Sequence, residues 1–254
     1  ASGCNFVGSS GGNGTLGDSK ELAKNVVYNT ETNETSFENY VSLEEAVKKV
    51  ERTSVAIYTE NGSGSGVIVD LKKSDTESSK YVYVLTCHHM IESKGAIQIN
   101  IPDENCLYDN KDYIFSGEIG DKIYTDKAVT LVGGDKDSDI AVLRIDLNKK
   151  AASGKMLAES KIVKAKIQTP YSVKKGETIF AVGNPTGTLP GTVSDGIISY
   201  LERETEVEEI GTMKLLQISV TTNPGNSGGG LYNLKGELIG VTNAGNTKYE
   251  AINY

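Results

Sequence analysis

The stretch Asn223-Pro224-Gly225-Asn226-Ser227-Gly228-Gly229-Gly230 decides how the rest of the chain is read. It sets one serine among glycines, where the backbone can turn tightly and aim N–H groups at a ligand. A serine hydroxyl barely ionises near neutral pH. It attacks a carbonyl only when a base takes its proton and nearby donors hold the oxyanion that forms. Taken alone, the same residues are ordinary turn chemistry between two strands. What lies upstream chooses between the two readings.

The chain of 254 residues has only two histidines, side by side in Val84-Leu85-Thr86-Cys87-His88-His89-Met90. An aspartate follows in Ser138-Asp139-Ile140-Ala141-Val142-Leu143, directly before an apolar run that reads as a buried strand. Asp135 and Asp137 compete with it, but no apolar run follows them directly, and with Gly133-Gly134 ahead they read as a solvated turn. The order is therefore His, Asp, Ser. Chymotrypsin-type triads run in that order, whereas subtilisin runs Asp, His, Ser and the α/β-hydrolases Ser, Asp, His.

Three segments now carry a resemblance to the trypsin-like serine proteases. Leu85 to Met90 resembles their L-T-x-x-H stretch, Ser138 to Leu143 their S-D-I-A-x-L, and Asn223 to Leu231 the N-P-G-N-S-G-G-x-L of the Deg/HtrA branch. Two more agree in family order: Gly62-Ser63-Gly64-Ser65-Gly66-Val67-Ile68, and Phe180-Ala181-Val182-Gly183-Asn184-Pro185-Thr186-Gly187 followed by Val193 to Ser199. The family places its base three residues after the Thr, which falls on His89 and makes His88 a neighbour without a chemical role.

The resemblance implies an all-β fold of two antiparallel six-stranded-type β-barrels, the chymotrypsin fold, with a short N-terminal helix and the site in the cleft between barrels. It also implies acyl transfer to water. Ser227 would attack, His89 would carry the proton, and Asp139 would hold the imidazole; the N–H groups of Gly225 and Ser227 would form the oxyanion hole. The primary pocket would draw on Thr221, Thr222, Thr242, Asn243 and Ala244. The position six before the nucleophile is Thr221 rather than an acid, which argues against cleavage after Lys or Arg and for small or medium aliphatic side chains. Ser219 stands where the Deg/HtrA branch often has an acid. No cofactor is implied, and the three cysteines and two histidines show no metal-ligand spacing.

Short β-branched runs punctuated by Gly, Pro, Asp and Asn, from Val55–Tyr58 to Leu238–Val241, give a pattern of many short strands. They divide into a first barrel over about 53–148, a linker over about 149–168 and a second barrel over about 169–254. Pro102 to Tyr124, with Tyr108, Tyr113, Phe115 and Tyr124, reads as an added hairpin, and the acidic run Glu202 to Glu209 as a solvated loop. Ser42-Leu43-Glu44-Glu45 reads as a capping box opening a helix to about Arg52, with Leu43, Val47 and Val50 on one face.

A net charge of −8 without concentrated Lys or Arg excludes a nucleic-acid partner. No run approaches the roughly 18 apolar residues of a membrane span. Residues 1–40, rich in Ser, Gly, Asn, Thr and Glu, read as a flexible tether. Ahead of it Ala1-Ser2-Gly3-Cys4 resembles the tail of a bacterial lipobox, so Cys4 is either an acylated anchor or an unmodified cysteine. The reading is thus of an extracytoplasmic endopeptidase acting on proteins or peptides in quality control or processing. Its alternatives are a silent protease-fold binding module and a surface scaffold. Whether Cys87 and Cys106 pair, and the oligomeric state, are open at this level. The reading is of a protease domain without a PDZ domain, either a minimal protease or one trimmed at Tyr254.

Overall fold

A computed structural model describes residues 41–60, 62–73, 80–92, 94–103, 105, 112–120, 126–207 and 211–243. It begins with the helix α1 (Leu43–Val50), whose capping box forms as its sequence dictates. The Ser42 hydroxyl accepts from the Glu45 N–H at 3.2 Å, and the Glu45 carboxylate accepts from the Ser42 N–H at 3.1 Å. Ala46 and Val50 are buried, and the chain leaves through a 3-10 turn at Glu51–Thr53. There the Thr53 hydroxyl donates to Val50 O, which leaves the Tyr232 hydroxyl, 2.6 Å away, to donate to Thr53.

Strand alternation builds the first barrel. In β3 (Lys80–Cys87) and β7 (Ile140–Asp146), Val82, Val84, Ala141, Leu143 and Ile145 are fully buried, with less buried residues between them. The two strands pair antiparallel from Tyr81↔Asp146 to Cys87↔Ile140. Around them β1 (Ser54–Thr59), β2 (Gly62–Lys73), β4 (Gly95–Asn100), β5 (Ile114–Ile119) and β6 (Val129–Asp135) close a seven-stranded barrel in the order β1-β2-β3-β7-β6-β5-β4. Within this barrel, among the described residues, the parallel seam joins β5 to β6 at Gly117↔Val129. A Cβ on Gly117 would stand 2.2 Å from the Val129 carbonyl oxygen, so only glycine permits this approach. Ile57, Ile97, Ile99 and Phe115 fill the interior, and Leu147, Ala151 and Leu157 from the outgoing chain join the same core.

The second half is a six-stranded sheet in the order β11-β10-β9-β12-β13-β8. Its strands are β8 (Lys166–Ile167), β9 (Thr178–Gly183), β10 (Thr192–Val207), β11 (Gly211–Ile218), β12 (Gly230–Asn233) and β13 (Glu237–Val241). Both faces of β9 are covered, which explains its unbroken apolar run. Phe180 and Val182 join Val67, Tyr232 and helix α1, whereas Ile179 and Ala181 join Ile198, Ile218 and Leu231. Strand β2 links the two halves, with Ile68 in the barrel core and Val67 against Phe180 and Tyr232.

The all-β architecture with one short N-terminal helix is as expected, and four details differ. The first barrel has seven strands, and the second half, among the described residues, is a curled open sheet. The aromatic stretch expected to add a hairpin contributes a barrel strand instead: β5 carries Phe115 fully buried, with Tyr113 beside it in the core, while Tyr108 and Tyr124 lie outside the described residues. The acidic run is a strand, not a loop, as far as Val207, and Glu208 and Glu209 lie outside the described residues. Glu204 faces Lys214 and Glu206 faces Thr212 across the β10–β11 ladder, so backbone pairing and opposite charge carry it without a buried face.

Candidate active site

Asp139 sits in the turn from β6 into β7. Its N–H donates to Lys136 O, and its φ of +50° lies in the left-handed region that Asp tolerates better than most residues. The turn is tied to the end of β3 by the His88 N–H, which donates to Asp139 O at 3.0 Å. From there the short helix α2 (His89–Glu92) begins, and His89 meets the aspartate twice. Its backbone N–H donates to Asp139 Oδ1 at 2.7 Å, and its ring Nδ1 lies 2.7 Å from Oδ2. Beside an ionised carboxylate Nδ1 is the donor, which leaves Nε2 as the free base. Asn243 Nδ2 donates to the same Oδ2 at 2.7 Å.

Asp139 is 1% exposed and His89 about a third, so the carboxylate is sealed while the imidazole reaches outward. Burial pushes the Asp139 carboxyl up, but the His89 side-chain and backbone hydrogen bonds, with the attraction of His89, outweigh it and hold the group below the usual carboxylate range. The His88 ring stands apart from the carboxylate, next to Gly134 and 3.6 Å from Glu92.

Ser227 lies in the turn between β11 and β12. The turn is closed by Asn226 N–H to Asn223 O at 2.9 Å and Gly229 N–H to Asn226 O at 2.8 Å. The outgoing chain binds it from one side, with Gly228 N–H to Thr242 O at 2.8 Å and the Thr242 hydroxyl to Asn226 O at 2.6 Å. From the barrel side the Ser65 N–H donates to Ser227 O at 2.8 Å. The Ser227 hydroxyl donates to Asn243 O at 3.0 Å. Asn243 therefore touches both halves of the site: its side chain holds Asp139 and its carbonyl holds Ser227.

The family described as a trypsin-like peptidase domain matches residues 64–241. The chain belongs to the trypsin-like peptidase family. Within it, the chain is similar to a serine protease Do-like HtrA of Bacillus subtilis, 30% identical over 188 residues covering 72% of this chain and 33% of that protein. It is also similar to the periplasmic pH-dependent serine endoprotease DegQ of Escherichia coli, 34% identical over 72% of this chain and 31% of that protein. A serine endoprotease structure from Yersinia pestis superposes with a TM-score of 0.57 at 26% identity, covering 84% of this chain and 61% of that one. The peptidase domain is thus of the Deg/HtrA type, and the chain spans about a third of the length of these two curated relatives.

In this peptidase domain the residues assigned to the primary pocket are placed differently from one another. Thr221 is exposed and Thr222 partly buried, both on the approach to the serine turn. Thr242 is 2% exposed, and its hydroxyl is spent within the turn. Asn243 is turned to Asp139, and Ala244 lies outside the described residues.

Cys87 is a buried free thiol whose Sγ donates to Thr242 O, and Cys106 lies outside the described residues. Burial, and after it the Asp139 charge, push this thiol well above its ordinary pKa, so it is no thiolate near neutral pH. Cys87, His89 and Asp139 do offer donor atoms within 4.8 Å of one another. Both Asp139 oxygens already accept N–H groups and the thiol keeps its proton, so the set is arranged for hydrogen bonding and fits an ion poorly.

Three contributors escape a reading of the sequence. Asn243 looks like a pocket wall and not a partner of Asp139, because nothing local signals a contact 104 positions away. Ser65 and Thr86 brace the serine turn from the barrel, and the only hint is the glycine-serine alternation around Ser65.

Proposed function

We propose that this domain is a serine endopeptidase in which Ser227 is the nucleophile, His89 the general base and acid, and Asp139 the group that fixes the imidazole. The observation that carries this is the double hydrogen bond from His89 to a sealed Asp139, beside a glycine turn that presents Ser227. The ionised carboxylate holds Nδ1 as donor and would stabilise the imidazolium formed when Nε2 takes the serine proton. The Ser227 hydroxyl must first leave the Asn243 carbonyl, a rotation about one side-chain bond. The Gly225 and Ser227 N–H groups would then receive the oxyanion. His89 would return its proton to the leaving amine, and water would release the acyl group by the same steps.

The substrates are proteins or peptides, with a primary pocket drawn from Thr221, Thr222, Asn243 and Ala244 over the Thr242 support. With no acid among these residues, the pocket suits small or medium aliphatic side chains rather than Lys or Arg. The periplasmic name of the Escherichia relative supports an extracytoplasmic setting, in quality control or processing. Ala1-Ser2-Gly3-Cys4 supports attachment through an acylated Cys4, which metabolic labelling with an alkyne fatty acid checks against Cys4→Ala.

Incubation with casein and a peptide library, with products read by mass spectrometry, tests the activity. Cleavage after Val, Ala or Ile that disappears in Ser227→Ala is the expected result. A folded wild-type chain that cuts nothing under any condition supports the silent binding module instead.

A further inference from the structure

Ser65 stands at the centre of the serine turn without belonging to it. It is fully buried in β2, and each of its polar groups is engaged. Its N–H donates to Ser227 O at 2.8 Å, and its carbonyl accepts from the Thr86 hydroxyl at 2.7 Å. Its own hydroxyl accepts from the Asn184 N–H at 2.8 Å and donates to Gly225 O at 2.9 Å. One side chain thus ties the β9 exit turn to the residue whose N–H is proposed for the oxyanion hole.

The carbonyl on the other side of Gly225 is also tied. Pro224 O accepts from the Thr186 N–H at 2.6 Å. The Pro224–Gly225 peptide is trans, so a carbonyl aimed at Thr186 turns the Gly225 N–H the opposite way. Neither that N–H nor that of Ser227 has a partner among the described residues. Gly225 has a φ of +99°, and an added Cβ would stand 2.3 Å from Asn184 O. Thr186 itself holds a φ of +61°, a conformation that a β-branched residue rarely adopts. An outlier of this kind at the contact to Pro224 marks a backbone held for a purpose.

We infer that Ser65 is a positioning residue which, with the Thr186 N–H, holds both carbonyls flanking the Gly225 N–H and so keeps the oxyanion donors ready before substrate arrives. This rests on Ser227 being the nucleophile. Without the Ser65 hydroxyl, Gly225 O and Asn184 N lose their partner where water is excluded, and the turn must shift to satisfy them. Such a shift misaims a donor, and a single oxyanion donor is worth roughly 10²- to 10³-fold in rate.

The test compares wild type, Ser65→Ala and Ser65→Cys in the whole chain. It reads 15N relaxation dispersion at the Gly225 and Ser227 amides, the downfield proton of the His89–Asp139 hydrogen bond, and steady-state kinetics on a cleaved peptide. In Ser65→Ala both amides should broaden, kcat should fall roughly 10- to 100-fold with KM nearly unchanged, and the His89 proton should stay in place. Ser65→Cys, which keeps a weak donor and much of the shape, should fall between the two and decides the matter if the alanine variant does not fold. Sharp amides with kcat within twofold of wild type would overturn the inference. So would a loss carried by KM together with loss of the His89 proton, because that marks a packing role. A wild-type chain that turns over no peptide contradicts the protease reading instead, and the amide line widths still decide the role of Ser65.

Discussion

The two halves of the domain hold their parts of the site by different means. His89 and Asp139 come from adjacent strand ends of a closed barrel, where the β3–β7 ladder runs up to Cys87↔Ile140 and leaves the pair little freedom. Ser227 comes from a glycine turn on an open sheet. Its geometry rests on a few hydrogen bonds, two from Ser65, one from the Thr186 N–H and several with Thr242, and of these three residues only Thr242 follows it in the chain. On the proposed reading, the barrel thus sets the acid–base pair and also braces the nucleophile. The difference locates adjustability in the serine turn, and a factor that alters activity without unfolding the domain has its lever there.

The comparison breaks most sharply at the aspartate. Asp139→Asn leaves the barrel intact but favours the wrong histidine tautomer, so kcat should fall by roughly 10⁴-fold. In stability, a carboxyl held below its unfolded value stabilises the folded state above that value and loses the effect as pH falls through the folded one. The stability gap between wild type and Asp139→Asn should therefore be widest near neutral pH and close below about pH 4, which urea titrations across pH would reveal. A gap that widens on acidification contradicts the assigned charge.

Rigidity of the barrel is tested by its core. Phe115→Ala removes a fully buried ring and should cost about 3–5 kcal/mol, seen in chemical denaturation as a lower midpoint at unchanged slope. Activity per folded molecule should stay close to wild type, since Phe115 lies on β5, which pairs with neither β2 nor β3, the strands that carry Ser65 and Thr86. The smallest effect belongs to the N-terminal helix. Ser42→Ala removes one side of the capping box and should cost about 1 kcal/mol with catalysis unchanged.

Where one face of a strand is buried, the alternation of its residues is legible in the sequence itself, as in Val82-Val84 and Leu143-Ile145. It fails where that contrast vanishes. Glu202 to Glu206 has no buried face, so the ladder that makes it a strand leaves no apolar trace. β12 follows directly on the glycines of the serine turn, which mask its start at Gly230. The proposed triad of His89, Asp139 and Ser227 is suggested by the sequence because each residue sits in a short motif and their order is distinctive. The braces are not, because hydrogen bonds from Ser65 to Gly225 and from Asn243 to Asp139 join residues 160 and 104 positions apart. Such contacts are properties of the assembled fold, and no local pattern encodes them.

Activation of Ser227, on its adjustable turn, by the ordered His89–Asp139 pair is tested most directly by labelling the folded wild-type chain with a fluorophosphonate and mapping the adduct by mass spectrometry. Stoichiometric modification confined to Ser227, and lost in His89→Ala while that variant keeps its fold, is the predicted result. Absence of any adduct on the folded chain, or labelling of Ser227 at the same rate without His89, would contradict it.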